Sequence, residues 1–343
     1  MENKLLIVSS SPHFRTEERT DKIMMEVIIA LLPSLIGAMV FFGNRAVIVT
    51  FAAVTGALIA EAAMLFMRRK QATSADMNSA VVTGLLLAFC VSSEVPWWMA
   101  FLGSVFGIVI AKHCFGGLGY NIFNPALAGR IFLMAAYPQE MTTWATQFKA
   151  EGIVGVDAVT AATNLGLVKL NPLVKIPEYW DRIWNLFLGN VGGCIGETSA
   201  LLLLIGAIYL LYKKVITWHI PVSFLASLAL FTWIFGGKRV ESGQAVIAFF
   251  KGDPLFHILA GGAMLGALYM ATDMVTSPMT RKGMLIFGSG CGILTGIIRI
   301  FGGFPEGVAY SITLMNITVP LIDKFTMPKV FGSDFGKKKN EKR

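Results

Sequence analysis

The chain has 343 residues, of which 55% are hydrophobic and only 15% are charged. Its mean hydropathy of +0.65 excludes the composition of an ordinary soluble domain. The net charge of +8 does not indicate nucleic-acid binding, because no basic patch interleaved with aromatic residues accompanies it. We therefore interpret the chain as an integral membrane protein whose surroundings are a lipid bilayer.

Apolar stretches recur along the chain and predict membrane-spanning helices. A hydrocarbon core of ~30 Å takes about 20 helical residues to cross. We predict ten spans, near 23–42, 46–67, 77–93, 97–113, 123–138, 193–212, 217–236, 254–272, 284–301 and 307–323. The third and fifth are short enough to be tilted or broken. The polar residues before the first span lack a small-residue cleavage site, so we expect no removable signal peptide.

Basic residues gather in alternate connections and predict the orientation. The clusters are Arg68, Arg69 and Lys70; Lys112 and His113; Lys213 and Lys214; Arg281 and Lys282; and Lys337, Lys338, Lys339, Lys342 and Arg343. Because cytoplasmic connections carry an excess of Lys and Arg, both termini are predicted to be cytoplasmic. Lys238, Arg239 and Lys251 are exceptions to this pattern. The same counting places the polar segment 139–192 outside the cytoplasm.

A sequence repeat predicts that the membrane-spanning part of the chain consists of two similar halves. The sequence LGSVFGIVIAKHCFGG at 102–117 matches FGSGCGILTGIIRIFGG at 287–303 in its glycine and serine positions. Glycine-rich helices also resemble one another through close packing, but each copy here precedes a turn and an asparagine, Asn124 or Asn316. Five spans per copy would invert the second relative to the first, which is typical of transporter-like folds. The predicted parts are a cytoplasmic segment (1–22), a five-helix repeat (23–138), an extracytoplasmic loop (139–192), a second five-helix repeat (193–323) and a basic cytoplasmic tail (324–343).

Two asparagines precede a proline in the first repeat. Asn121 and Asn124 are three residues apart and are predicted to share one face of a helical turn. Their carboxamides suit a flat heterocycle with alternating donors and acceptors. Alternatively, Asn124 caps the helix that begins at Pro125, and Asn121 bonds to loop backbone. Arg130 either pairs with an anion or extends its charge to the membrane surface.

The polar segment contains the heptapeptide DAVTAAT at 157–163. It resembles the acceptor sequence on which bacterial flavin transferases join FMN to the last threonine through a phosphoester. Thr163 is then the FMN-bearing, phosphoryl threonine, and Asp157, Thr160 and Ala162 complete the motif. An unhindered hydroxyl between small neighbours suits such a transfer. The alternative is a turn or helix start in which Asp157 and Thr160 cap backbone amides and Thr163 is merely exposed.

Further segments extend the resemblance along nearly the whole chain. They are SPHFRTEERTDKIMMEVIIALLPS (11–34), GGLGYNIFNPALAGRIF (116–132), ATDMVTSPMT (271–280) and FPEGVAYSITLMN (304–316). In this order they resemble the D subunits of Rnf complexes and the related B subunits of sodium-pumping NADH:quinone oxidoreductases. The short segment before the first span is more similar to the Rnf members. One departure is Ala161, where the family's acceptor motif usually has Gly.

The resemblance implies an all-α membrane fold similar to urea transporters, with FMN on Thr163 and a riboflavin at Asn121 and Asn124. It also implies assembly with Rnf subunits A, B, C, E and G, and maturation by a flavin transferase. The implied function is electron transfer within an ion-translocating ferredoxin:NAD oxidoreductase of the bacterial cell membrane. No catalytic residue and no complete activity are expected of this chain alone. A stand-alone solute channel is the alternative, but such a channel has no use for DAVTAAT.

Other reactive residues are scattered. The cysteines lack CxxC spacing, so neither an iron–sulfur cluster nor a disulfide is predicted, and the dispersed histidines predict no metal site. These residues are Cys90, Cys114, Cys194, Cys291, His13, His113, His219 and His257. Acids inside or at the ends of spans are candidates either for ion coupling or for pairing with a basic or backbone group. They are Glu26, Glu61, Glu197 and Asp273.

Overall fold

A computed structural model describes residues 19–144, 165, 179–189, 191–197, 199–241, 244–303 and 306–328. Helices lie at all ten positions where the apolar stretches predict them. The helices are α1 (Thr20–Phe42), α2 (Asn44–Met67), α3 (Ser74–Phe89), α4 (Trp97–Phe106), α5 (Pro125–Ala136), α6 (Pro138–Met141), α7 (Tyr179–Leu188), α8 (Ala200–Tyr212), α9 (His219–Phe235), α10 (Pro254–Leu259), α11 (Ala263–Leu265), α12 (Arg281–Phe301) and α13 (Val308–Thr326). A 3₁₀ turn occupies Ile195–Glu197.

Helix length and composition agree with a membrane protein. Among the described residues, α1, α2 and α12 are long and apolar enough to cross a bilayer, and five further apolar helices have 10–17 residues. Many large apolar side chains on these helices point outward, as lipid-facing residues do. The all-α membrane class is thus confirmed. The number of crossings, the inverted repeats and the likeness to urea transporters stay predictions.

Two of the predicted spans are irregular. The helix that begins as α4 continues as a π-helix over Gly107–His113. The span predicted at 254–272 is broken: α10 ends, Gly261 and Gly262 adopt left-handed φ values of +67° and +68°, and the chain resumes as α11 and a second π-helix, Gly266–Met270. Such interruptions free backbone groups within the fold, and π-helical turns are frequent at functional sites.

The chain also forms a β-hairpin that the sequence analysis did not predict. Strands β1 (Gly237–Glu241) and β2 (Gln244–Ala248) pair antiparallel, with Gly237 opposite Ala248 and Glu241 opposite Gln244. The Ser-Gly dipeptide between them in the sequence is a common turn signal. The exceptional basic residues Lys238 and Arg239 belong to β1, so they are part of a small structured unit beyond the end of α9.

Small residues let the central helices approach closely. A Cβ atom at Gly129 of α5 would overlap the carbonyl oxygen of Gly103 in α4, and one at Gly107 would overlap the carbonyl oxygen of Pro125. Backbone contact of this kind is how helices associate where no hydrophobic effect drives them together. The first repeat's glycines thus fix α5, with its preceding asparagines, against the π-helical end of α4.

Candidate functional site

A cavity lies between elements of both halves of the chain. Its volume is about 80 Å³. Polar side chains of Ser79, Thr83, Lys112, Asn121, Asn124, Tyr269, Thr272 and Asp273 line it. Apolar side chains of α1, α3, the end of α8 and the segment after it complete the wall. A largely apolar cavity with a few convergent polar groups is the usual form of a small-molecule site.

Asn124 caps α5 and also reaches across to the second half of the chain. Its Oδ1 accepts from the backbone N–H of Ala126 at 3.0 Å, and its Nδ2 donates to the carbonyl of Met270 at 3.2 Å. In the amide orientation that satisfies its neighbours, Asn316 accepts from the backbone N–H of Asn124 at 3.3 Å and donates to the Thr276 carbonyl at 3.1 Å. The asparagines of the two sequence repeats therefore meet at this wall of the cavity.

Asn121 lies on the same cavity but not in a helix. Residues 120–124 have no helical structure, so the prediction that Asn121 and Asn124 share one face of a helical turn is wrong. The reason is local: positive φ values at Gly116, Gly117 and Gly119 fold the chain back before α5 begins. The Asn121 Nδ2 donates to the Phe123 carbonyl at 3.1 Å. Both carboxamides nevertheless line the cavity, as a shared ligand would require.

Asp273 supplies a carboxylate to the cavity wall beside Asn121, with which its side chain forms a hydrogen bond. It follows the second π-helix, and its two oxygens accept from the Thr276 hydroxyl at 3.1 Å and the Val275 N–H at 3.4 Å. The acid is thus held by neighbouring loop groups.

Lys112 and His113 lie inside the protein, so their placement in a basic cytoplasmic connection is wrong. The Lys112 side chain is 1% exposed, and its Nζ donates to Glu61 Oε2 at 2.8 Å and to Ser79 Oγ at 3.3 Å. His113 Nε2 lies 3.2 Å from the same Glu61 oxygen. The π-helical turn directs both residues toward α2, where Glu61 is fully buried. Glu61 is therefore paired, which was one of the two alternatives for it.

A second buried polar cluster centres on Arg130. Its guanidinium pairs with the Glu306 carboxylate and lies 3.8 Å from the Cys194 sulfur. Arg130 therefore pairs with an anionic group and does not extend to the membrane surface. Because Arg130 belongs to α5 and Glu306 directly precedes α13, the ion pair joins the two sequence repeats.

Arg299 forms hydrogen bonds to backbone carbonyls at the helix break near residues 260–262. Its guanidinium donates to the carbonyls of Glu306, Ala260 and Gly261, each at 2.9 Å, and to that of His257. Carbonyls released by a broken helix need donors when they lie away from water. Arg299 supplies those donors from α12.

Cys194, Glu197 and Glu306 also come together, with one potential ligand atom each within 4.8 Å of the others. Thiolate and carboxylate are metal-binding groups. However, Arg130 pairs with Glu306 and contacts the Cys194 sulfur, so a divalent cation would meet a fixed positive charge.

The cysteines Cys90 and Cys194 are neighbours in the structure. The Cys194 thiol contacts the Cys90 carbonyl at 3.1 Å, and the Cys90 sulfur lies 3.8 Å from the sulfur of Met270. Sequence spacing gave no sign of this proximity.

The predicted flavin acceptor, with Asp157, Thr160, Ala162 and Thr163, lies outside the described residues. Leu165, two positions after Thr163, is described and buried. It packs with Phe256 and Ala260, and a Cβ at Gly261 would contact both Leu165 and the Arg299 guanidinium. Leu165 therefore lies against the Arg299 cluster, by which we mean the Arg299 guanidinium and the carbonyls of His257, Ala260 and Gly261 that it holds.

The cavity's donor set fits the edge of a flavin ring. Two carboxamides, an ammonium and hydroxyls offer donors and acceptors to a heterocycle that carries both. The volume is less than the roughly 150 Å³ of a cavity that accepts benzene. A three-ring flavin would therefore fit only when side chains of the wall move apart. The lining includes Met24 and Met274, whose unbranched side chains adapt readily to their surroundings.

Comparison with known proteins gives full-length matches. The model of the NQR2, RnfD, RnfE family matches residues 7–332. Three of the similar relatives are named as D subunits of ion-translocating complexes. The one from the proton-translocating ferredoxin:NAD(+) oxidoreductase complex of Clostridium ljungdahlii is 46% identical over 97% of this chain and 98% of its own length. The Na(+)-translocating counterpart of Acetobacterium woodii is 46% identical over 95% of each chain. That of the ion-translocating oxidoreductase complex of Citrobacter koseri is 38% identical over 95% of this chain and 98% of its own.

Proposed function

Since the chain belongs to the NQR2, RnfD, RnfE family, we propose that it is the membrane flavoprotein subunit of an ion-translocating ferredoxin:NAD oxidoreductase. It acts with the other Rnf subunits, A, B, C, E and G, and has no complete activity alone. The observation that carries this proposal is the similarity over almost the whole length to relatives named as D subunits of such complexes. Relatives named for protons and for sodium are equally similar, so the transported ion is not part of the proposal.

Thr163 is proposed to carry FMN through a phosphoester made by a flavin transferase, outside the cytoplasm. The acceptor motif supports this assignment, and so does the packing of Leu165 beside Gly261. This packing places Leu165, two positions after Thr163 in the sequence, beside the buried Arg299 cluster. The flavin would supply the ability to accept and pass on electrons. The protein's part is to hold that group close to the membrane domain.

A second, non-covalent flavin, riboflavin, is proposed for the cavity. Asn121 and Asn124 would hold its polar edge, and the apolar wall would enclose the ring. Asn124 also bonds to the Met270 carbonyl, and the Met270 sulfur contacts Cys90, which is next to Cys194 and Arg130. A continuous row of packed groups thus joins the Arg299 and Arg130 clusters to the cavity. It offers a route through protein between the two proposed flavins.

The experiment that tests the covalent flavin is fluorescence of the denatured chain in a gel. We expect Thr163→Val to abolish flavin fluorescence, because valine has the shape of threonine without the hydroxyl. Thr160→Ser is the matched control and should remain fluorescent. Persistent fluorescence of the Thr163→Val chain would end the assignment.

A further inference from the structure

The buried ion pair of Lys112 and Glu61 forms part of the cavity wall. Lys112 and Ser79 line the cavity together with Asn121 and Asn124. The ammonium donates to Glu61 at 2.8 Å and to Ser79 at 3.3 Å. Within the described part of the chain, these two bonds use two of its three N–H donors. An ammonium paired with the Glu61 carboxylate is therefore fixed at the edge of the space where the carboxamides converge, and the Asp273 carboxylate lines the same space.

Stable packing of this part of the protein does not by itself require the ion pair of Lys112 and Glu61. Replacing a buried ion pair by apolar residues of similar volume is often neutral or stabilising, whereas removing one partner is costly. Two further polar groups add to the polar atoms buried at this place: His113 beside Glu61, and the Glu61 Oε1, which has no hydrogen-bond partner among the residues that the structure describes. Polar and ionisable groups inside a membrane domain are costly and commonly functional.

We propose that Lys112 is a positioning residue that stabilises the reduced form of the flavin in the cavity, and that Glu61 holds the ammonium and offsets part of its charge. The proposal rests on the proposed riboflavin site. A flavin that has accepted an electron carries additional negative charge unless it takes up a proton. An ammonium fixed in a wall of low dielectric constant stabilises that charge strongly, because little water screens it.

If Lys112 has this role, substitutions of Lys112 and of Glu61 should shift the midpoint potential of the flavin in opposite directions, which a purely structural role would not predict. Lys112→Met removes the positive charge and should lower the midpoint potential of the non-covalent flavin. Glu61→Gln removes the negative charge and should raise it. We expect each change to alter the ratio of affinities for reduced and oxidised flavin at least tenfold, which is about 59 mV for a one-electron couple. Lys112→Arg keeps the charge and should stay near the parent.

The test uses the purified complex that contains the full chain. Riboflavin released by acid is quantified first, and the midpoint potential is then measured by spectroelectrochemical titration, with the covalent FMN as an internal reference. If the parent contains no riboflavin, the proposed cavity flavin is wrong. If riboflavin is retained and Glu61→Gln leaves its potential unchanged or lower, Lys112 has no such role. Should Lys112→Met fail to assemble, the sign for Glu61→Gln still decides.

Discussion

The guanidinium of Arg130 and the carboxylate of Glu306 form a buried ion pair between α5 and the segment that begins α13. At the other end of the same crossing, the backbone N–H of Asn124 donates to Asn316. The two helices are thus joined at two levels, one beside the cavity and one beside the Arg299 cluster. A rearrangement of one half of the chain against the other would have to change at least one of these contacts.

Breaking the ion pair should destabilise the protein strongly. Arg130→Met leaves the Glu306 carboxylate buried without its counter-charge, for which we expect a cost of about 3–5 kcal/mol. The double variant Arg130→Met, Glu306→Met should recover part of that cost, because the Glu306 carboxylate is removed together with its partner. Thermal unfolding of the protein in detergent measures both effects. Equal stability of the single variant and the parent would show that the pair contributes nothing to folding.

Close approach of α5 and α4 gives a second prediction. Gly129→Ala puts a methyl group against the Gly103 carbonyl oxygen, a backbone atom that cannot turn aside. We expect a loss of about 1–3 kcal/mol. Gly303→Ala is the matched control, because no atom of the described residues lies within 4 Å of a Cβ at that position. A Gly129→Ala protein that melts with the Gly303→Ala control would contradict the close packing.

The sequence predicted the helices well because an apolar stretch of about 20 residues has few alternatives in a membrane. Capping of α5 by Asn124, one of the two alternatives for this residue, was also suggested for a local reason, the preference for Asn before a helix that begins with Pro. The burial of Lys112 was missed, because its partner Glu61 is 51 residues away and positive charge near a predicted span end usually marks a cytoplasmic connection. The contact of Cys194 with Cys90 and the carbonyls held by Arg299 are likewise products of tertiary packing.

Orientation can be measured by labelling single cysteines. The described basic clusters at Arg68–Lys70, Lys213–Lys214 and Arg281–Lys282 are exposed. The charge argument therefore retains four of its five clusters after the loss of Lys112 and His113, the fourth being the cluster at 337–343, outside the described residues. In a background with the exposed Cys114 replaced by serine, we expect Thr146→Cys to react with an impermeant maleimide in intact cells. Gln71→Cys should react only after lysis. The reverse pattern would invert the topology and place flavin attachment inside.

The last prediction separates the capping role of Asn124 from ligand binding. Asn124→Ser should preserve the cap, because serine also accepts from the first-turn N–H groups, but its short side chain would lose the bond to the Met270 carbonyl and the carboxamide in the cavity. We therefore expect a smaller loss of thermal stability than in Asn124→Leu, with a riboflavin affinity lower by roughly ten- to a hundredfold, equivalent to about 1–3 kcal/mol. In Asn124→Leu both cap and affinity should be lost. Acid extraction of riboflavin, with FMN at Thr163 as the reference, provides the measurement. If Asn124→Ser keeps the parent's riboflavin affinity while Asn124→Leu merely unfolds, Asn124 is a helix cap and the flavin is held by other groups.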